Sequence, residues 1–293
     1  MNGPEIRWLP DKRRLHFNHG PIDLIVEAFG EQREVDLAYQ QAAERFQTIL
    51  GELVVELTEL RRPASGTARL FAGPTARRME AAVAPLALDF ITPMAAVAGS
   101  VADEMMAATV SGRRLKRAYI NNGGDIALHI AGGERISVAI TGTDHGFADR
   151  LTIRAEDPVR GIATSGWRGR SFSLGIADAV TVLATSGAAA DAAATLIANA
   201  VDLPGHPAIR RRPACELAPD SDLEGREVTT DVGALSPIEI NAALDAGLKV
   251  ADTFRWQGSI HSAALFLAGA HRVSGKPFVP ISEVSTRGIP IHA

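Results

Sequence analysis

Ala188-Ala189-Ala190-Asp191-Ala192-Ala193-Ala194-Thr195-Leu196-Ile197-Ala198-Asn199 is the stretch that decides how the rest of the chain is read. It is alanine, leucine and isoleucine except for three polar residues spaced four apart. A helix therefore lines up Asp191, Thr195 and Asn199 as one polar stripe. A carboxylate and a hydroxyl one turn apart can share a hard cation such as Mg²⁺, which prefers oxygen ligands. The same spacing admits a structural reading, with Asp191 in a first turn favoured by the helix dipole and Thr195 bonding back to its own helix. Just upstream, Val180-Thr181-Val182-Leu183 reads as a strand, with the helix expected over about 188–201.

Further out, helix and strand patterns segregate without regular alternation. Ile22 to Val26 is a short strand entered through Gly20-Pro21. Leu37, Ala38, Phe46, Ile49, Leu50, Leu53 and Leu57 recur at helical spacing, which predicts a long amphipathic helix from an Asp36 cap to about Leu60. A second apolar helix is expected near Ala95 to Thr109, after Pro93. Strands are then expected at 117–120, 126–130 and 135–140. The turns Asn121-Asn122-Gly123-Gly124 and Ala131-Gly132-Gly133 between them are antiparallel-hairpin signals. Ser236-Pro237-Ile238-Glu239 carries a capping box and predicts a helix to about Phe254. The expected fold class is α+β, a single domain over residues 1–293, with 205–293 as the end of the core or a lid.

Two loops could carry chemistry beside the helix stripe. Gly123 and Gly124 could bring backbone N–H groups close to a ligand, with Asp125 as an acceptor, or they could form a plain hairpin turn. The loop from Gly161 to Ser171 is rich in glycine, hydroxyls and the guanidinium groups of Arg168 and Arg170, a composition suited to an anion nest. It lacks the GK[ST] ending of a Walker loop. His16 and His19 could share a ligand at spacing three, although a capping or surface role fits them as well. Phe90, Phe172 and Phe254 read as core residues.

Composition excludes several classes. A net charge of −4 and 5% aromatic residues leave neither the basic footprint nor the stacking platform of a nucleic-acid binder. Lys12-Arg13-Arg14 and Arg210-Arg211-Arg212 read as solvated surface. The lone Cys215 allows no disulfide and no thiolate zinc cluster. No apolar run reaches the roughly 18 residues of a membrane span, and Met1 to Pro10 carries no secretory pattern, so the expectation is a cytoplasmic protein. Its expected partner is a small molecule, and its alanine-rich faces suit a homodimer.

The order of Gly123-Gly124-Asp125-Ile126, then Thr164-Ser165-Gly166, then the strand Val180 to Val182 followed by Ala190-Asp191-Ala192-Ala193-Ala194-Thr195 resembles the ApbE superfamily, over about residues 90–202. Those proteins are Mg²⁺-dependent FAD:protein FMN transferases with GGDI, TSG and ADALAT-like motifs in that order. The resemblance implies an ApbE-like fold of antiparallel sheets and helices in two intertwined lobes, with FAD or FMN as ligand. It implies that Asp191 and Thr195 ligate Mg²⁺ with a backbone carbonyl near Ala98. It also implies that Gly123, Gly124, Asp125, Thr164, Ser165 and Gly166 line the flavin-nucleotide cleft, with Arg168 and Arg170 in the anion loop. The pattern departs at Ser173 to Asp178. Leu174 stands where the family's SH[IL][IL]DPxTG segment has histidine, and DPxTG is absent. Asp178 is left as the candidate for the second catalytic carboxylate beside Asp191. The departure resembles an uncharacterised branch of the family and opens two functional readings. One is transfer or hydrolysis of a flavin nucleotide or another phosphate-bearing metabolite; the other is a binding protein that has lost turnover.

Overall fold

Alternation along the strands lays out the core. The computed structural model describes residues 3–87, 89–139, 150–275 and 290–292. Its first half holds β1 (Glu5–Trp8), β2 (Leu15–His19), β3 (Ile22–Gly30), α1 (Gln32–Val55), α2 (Leu57–Leu60), α3 (Pro74–Val83) and α4 (Val97–Val110). Then come β4 (Leu115–Asn122), β5 (Asp125–Ile130), β6 (Arg135–Ala139), β7 (Arg150–Arg154), β8 (Gly161–Ser165), β9 (Ala179–Ala184) and α5 (Gly187–Ala200). The chain closes with β10 (Ile209–Pro213), α6 (Ala214–Leu217), β11 (Glu227–Val232), α7 (Pro237–Trp256), β12 (Ser262–Leu267), β13 (Ala270–Ser274) and β14 (Pro290–His292).

Nine strands form one antiparallel sheet in the order β1-β2-β3-β4-β5-β8-β9-β12-β13, bearing out the α+β expectation. On β4, Ala118 and Ile120 face a core built with α1 and α4, while Tyr119 between them faces the opposite side. On β9, Val180 and Val182 face a second core with α5 and α7, while Leu183 faces away. This is the period-two alternation of a sheet buried on both faces. The helices cover one face. On the other, a small sheet ordered β14-β6-β7 contributes Ile136, Val138 and Ile153.

Two local expectations need correction. The long helix begins at Gln32, four residues before Asp36; its cap residue, Glu31, makes no side-chain cap bond, and Asp36 instead accepts a hydrogen bond from Gln32 at 2.7 Å. The turn at 131–133 does not make a hairpin of β5 and β6, because β5 pairs with β8 and β6 leaves for the small sheet. Ile140, the end of that expected strand, lies outside the described residues, as do 276–289. Most alanines of α5 are buried in the chain's own core. The capping box of Ser236 and Glu239 is present and opens α7. Of the basic clusters, Arg13 is exposed and pairs with the buried Glu27, Arg212 pairs with Glu216 at the surface, and Arg211 turns inward to Asp202. Cys215 is exposed. Among the described residues no helix is long and apolar enough to cross a membrane.

Candidate functional site

Asn122 and Asp125 pair across the β4–β5 hairpin, leaving Gly123 and Gly124 as its two-residue loop. Both have positive φ, 65° and 114°, which side-chain-bearing residues rarely adopt. Asn121 steadies the loop by accepting the N–H of Gly124 at 2.8 Å. The missing side chain at Gly123 also leaves the room that the guanidinium of Arg170 occupies. Asp125, the first residue of β5, accepts the N–H of Thr164 on β8 at 3.2 Å. The Thr164 hydroxyl meets that of Thr181 on β9 at 2.9 Å.

These groups open into a cavity of about 610 Å³. Asp191 and Thr195 reach it from α5, Met94 and Ala95 from the turn before α4, and Val97 and Ala98 from the start of α4. The loop after β8 supplies Gly166 and Gly169 to Phe172, and Ser221, Asp222 and Leu223 close the remaining side. Asp222 is fixed there by the hydroxyl of Thr92, which donates to it at 2.5 Å. The cavity is thus acidic at its floor, with Arg170 facing that floor and apolar Met94, Phe172 and Leu223 around it.

The two floor carboxylates disturb each other. Burial pushes the Asp125 carboxyl up to about 7, against the pull of the Thr164 N–H and the Arg170 charge. Burial first, and the Asp125 charge second, hold Asp191 well above the usual carboxylate range. Asp191 is not in a first turn. It sits one turn into α5, and its Oδ2 accepts the N–H of Gly99 at 3.0 Å. The carbonyl of Ala98 accepts from the Asn122 side chain at 3.1 Å.

Of the residues singled out by sequence, the fold gathers Ala98, Gly123, Gly124, Asp125, Thr164, Ser165, Gly166, Asp191 and Thr195 around one cavity. Asp178 and Arg168 are not part of its lining. They pair with each other at 2.7 Å, Asp178 also accepts the N–H of Ala268, and Arg168 lies over the Trp167 ring. The arginine of this loop that lines the cavity is Arg170. Asn199 leaves the stripe for a structural task, accepting the N–H of Leu174 at 2.9 Å. It borders a second cavity, of about 950 Å³, at the far end of α5. Phe254 is buried as expected, but Phe172 is 36% exposed and lines the first cavity. Phe90 borders the second cavity, beneath the guanidinium of Arg226. His16 and His19 do not converge: His16 pairs with Asp23 at 3.1 Å, and the His19 ring packs on Phe46. Sequence reasoning missed Asp222 and its neighbours, since nothing local announces a segment that bonds to Thr92 across the fold.

The chain resembles UPF0280 proteins of methanogenic archaea. That of Methanopyrus kandleri is 37% identical over 109 residues, 37% of this chain and 43% of that one. The Methanocaldococcus jannaschii protein is 41% identical over 116 residues, 38% and 45% of the two chains. The Methanocella arvoryzae protein is 38% identical over 130 residues, 43% and 49%. The matches therefore span less than half the length of these curated relatives. Among solved structures, the flavinyl transferase ApbE of Pseudomonas stutzeri in its apo form superposes with a TM-score of 0.45 at 12% identity, covering 94% of this chain and 95% of that one. The apbe protein of Thermotoga maritima superposes with a TM-score of 0.48 at 10% identity, covering 92% and 97%. The model of the family described as AbpE bacteria matches residues 6–273, nearly the whole chain. The resemblance read from the three ordered motifs is borne out, and the chain belongs to the AbpE bacteria family.

Proposed function

We propose that the 610 Å³ cleft binds a flavin nucleotide, or another phosphate-bearing metabolite, together with Mg²⁺. The observation that carries this reading is the pair of carboxylates, Asp125 and Asp191, facing one cavity beside the Thr195 hydroxyl and the Arg170 guanidinium. The donor set suits Mg²⁺. Asp191, Thr195 and the Ala98 carbonyl offer oxygen only, and the repulsion between two buried acids is relieved by a cation. Asp191 is the one carboxylate in this donor set. Mg²⁺ is usually bound through one or two carboxylates and completes its shell with water and substrate phosphate.

Bound there, Mg²⁺ would neutralise negative charge on the phosphates. The chain's own residues do the rest. Arg170 faces the anion, the open Gly123-Gly124 turn lets a ligand approach the backbone, and Met94, Phe172 and Leu223 exclude water from the apolar side. The lining described for this cavity contains no histidine, and that observation supports the second reading, binding without turnover.

The deciding experiment is a thermal-stability series with FAD, FMN and ADP, each with and without Mg²⁺. The expected result is a Mg²⁺-dependent upward shift with FAD that is lost in Asp191→Ala. Product analysis of the same mixtures then separates transferase or hydrolase from binder. No shift with any nucleotide overturns the reading.

A further inference from the structure

Two segments of the chain share one pattern: Gly99-Ser100-Val101-Ala102-Asp103 at the start of α4 and Gly187-Ala188-Ala189-Ala190-Asp191 at the start of α5. In each, an aspartate follows a glycine by one helical turn, and the two helices cross where the glycines meet. A Cβ on Gly187 would lie 2.9 Å from the carbonyl oxygen of Gly99, closer than real Cβ atoms stand, so only glycine permits the approach. Each aspartate then caps the other helix. Asp103 accepts the N–H of Gly187 through Oδ1 and that of Ala188 through Oδ2, both at 2.8 Å. Asp191 accepts the N–H of Gly99 at 3.0 Å. Ser186 accepts the N–H of Ala189 at 3.2 Å, so the first three donors of α5 are all satisfied. The cap residue of α4, Ala96, has no side chain able to do this, which leaves Asp191 as the group that serves α4.

The clasp is symmetric in pattern and asymmetric in exposure. Asp191 lines the cleft, whereas Asp103 does not, and both of its oxygens are committed to α5. We propose that Asp103 is the positioning residue of the cation site: it fixes the start of α5, and through α5 the place from which Asp191 and Thr195 present their oxygens. This rests on the assignment of Asp191 and Thr195 as the cation ligands. Outer-shell groups of this kind govern affinity because a ligand held loosely must be ordered when the ion binds.

The test compares wild type, Asp103→Asn, Asp103→Glu and Ile153→Ala, the last a buried change in the separate core on the other face of the sheet. Mg²⁺ affinity is measured by calorimetry on fully folded protein, and amide exchange is followed at Gly99, whose acceptor is Asp191 rather than Asp103. Asp103→Asn keeps the shape but loses one of two acceptors; it should weaken Mg²⁺ by about 10- to 100-fold and speed exchange at Gly99. Asp103→Glu keeps the charge but displaces it by a methylene, and covers the case in which the asparagine variant does not fold; it should lose affinity in the same direction. Ile153→Ala should lower stability and leave Mg²⁺ affinity within about twofold, as expected for sites that do not couple. Unchanged affinity and unchanged Gly99 exchange in both Asp103 variants overturn the proposal. If wild type takes no Mg²⁺, the cation reading fails, and the Gly99 exchange rate alone still decides whether Asp103 positions Asp191.

Discussion

The crossing of α4 and α5 makes Gly99→Ala a sharp probe of the site's scaffold. In a helix, alanine for glycine is ordinarily favourable by about 1 kcal/mol. At Gly99 the new methyl would collide with the backbone carbonyl of Gly187 and lie 2.8 Å from the Ala188 nitrogen. These are backbone atoms of a buried helix, so the collision cannot be relieved by a rotamer change and the helices must part. Overpacking of this kind costs about 1–3 kcal/mol. The internal control is Gly51→Ala in α1, where a Cβ meets nothing within 4 Å and the propensity gain stands alone. Both variants share the propensity gain, so Gly99→Ala should be the less stable of the two by the collision cost alone, about 1–3 kcal/mol. Urea unfolding followed by far-ultraviolet circular dichroism measures both, with unchanged m values showing that the denatured state is not responsible. If Gly99→Ala stabilises as much as Gly51→Ala, the helices do not approach as described and the crossed caps fall with them.

Without divalent cation, Asp125→Asn should raise the melting temperature at pH 8 and lose that advantage as pH falls toward 4. The sign follows from the raised carboxyl: the folded chain holds its proton up to about 7, so stability from this group declines as pH rises from the unfolded value near 3.8 through that point. The gain is at most about 4 kcal/mol by the usual conversion, and a difference independent of pH would refute the burial of the charge. For the same reason Mg²⁺ binding should weaken as pH drops below about 7, by up to tenfold per unit for each proton displaced; calorimetry from pH 6 to 8 reads this, and a flat profile counts against it. Arg170→Ala should weaken the nucleotide by about 1.5–3 kcal/mol, as for a hydrogen bond to a charged group, and spare the cation; equal loss of both would reassign it. Ser236→Ala removes one half of the capping box on α7 and should cost about 1 kcal/mol in urea unfolding, with no effect on ligand shifts.

How much of this could be read from residues alone follows from the range of the interactions. Asp191 and Thr195 were legible because their spacing and their shared face are the same fact in a helix. The Gly123-Gly124 loop was legible because positive φ at consecutive positions is a property of glycine itself. The loop after β8 was half legible. Its composition marks an anion-binding stretch, but which of Arg168 and Arg170 turns inward depends on Asp178, whose carboxylate draws Arg168 away. The mispaired β5–β6 hairpin shows the same limit: Gly132 and Gly133 announce a turn and cannot announce the sheet into which the chain then goes. Phe172 was misplaced because an apolar residue carries no sign of whether its neighbours are core or cleft.

The hydrogen bond between Thr92 and Asp222 joins residues 130 positions apart. During synthesis, the Gly123-Gly124 turn and the start of α5 leave the ribosome well before the segment that closes the cleft beside them. The ligand site becomes complete only when residues 221–223 dock, a step of long loop closure that is slow by its topology.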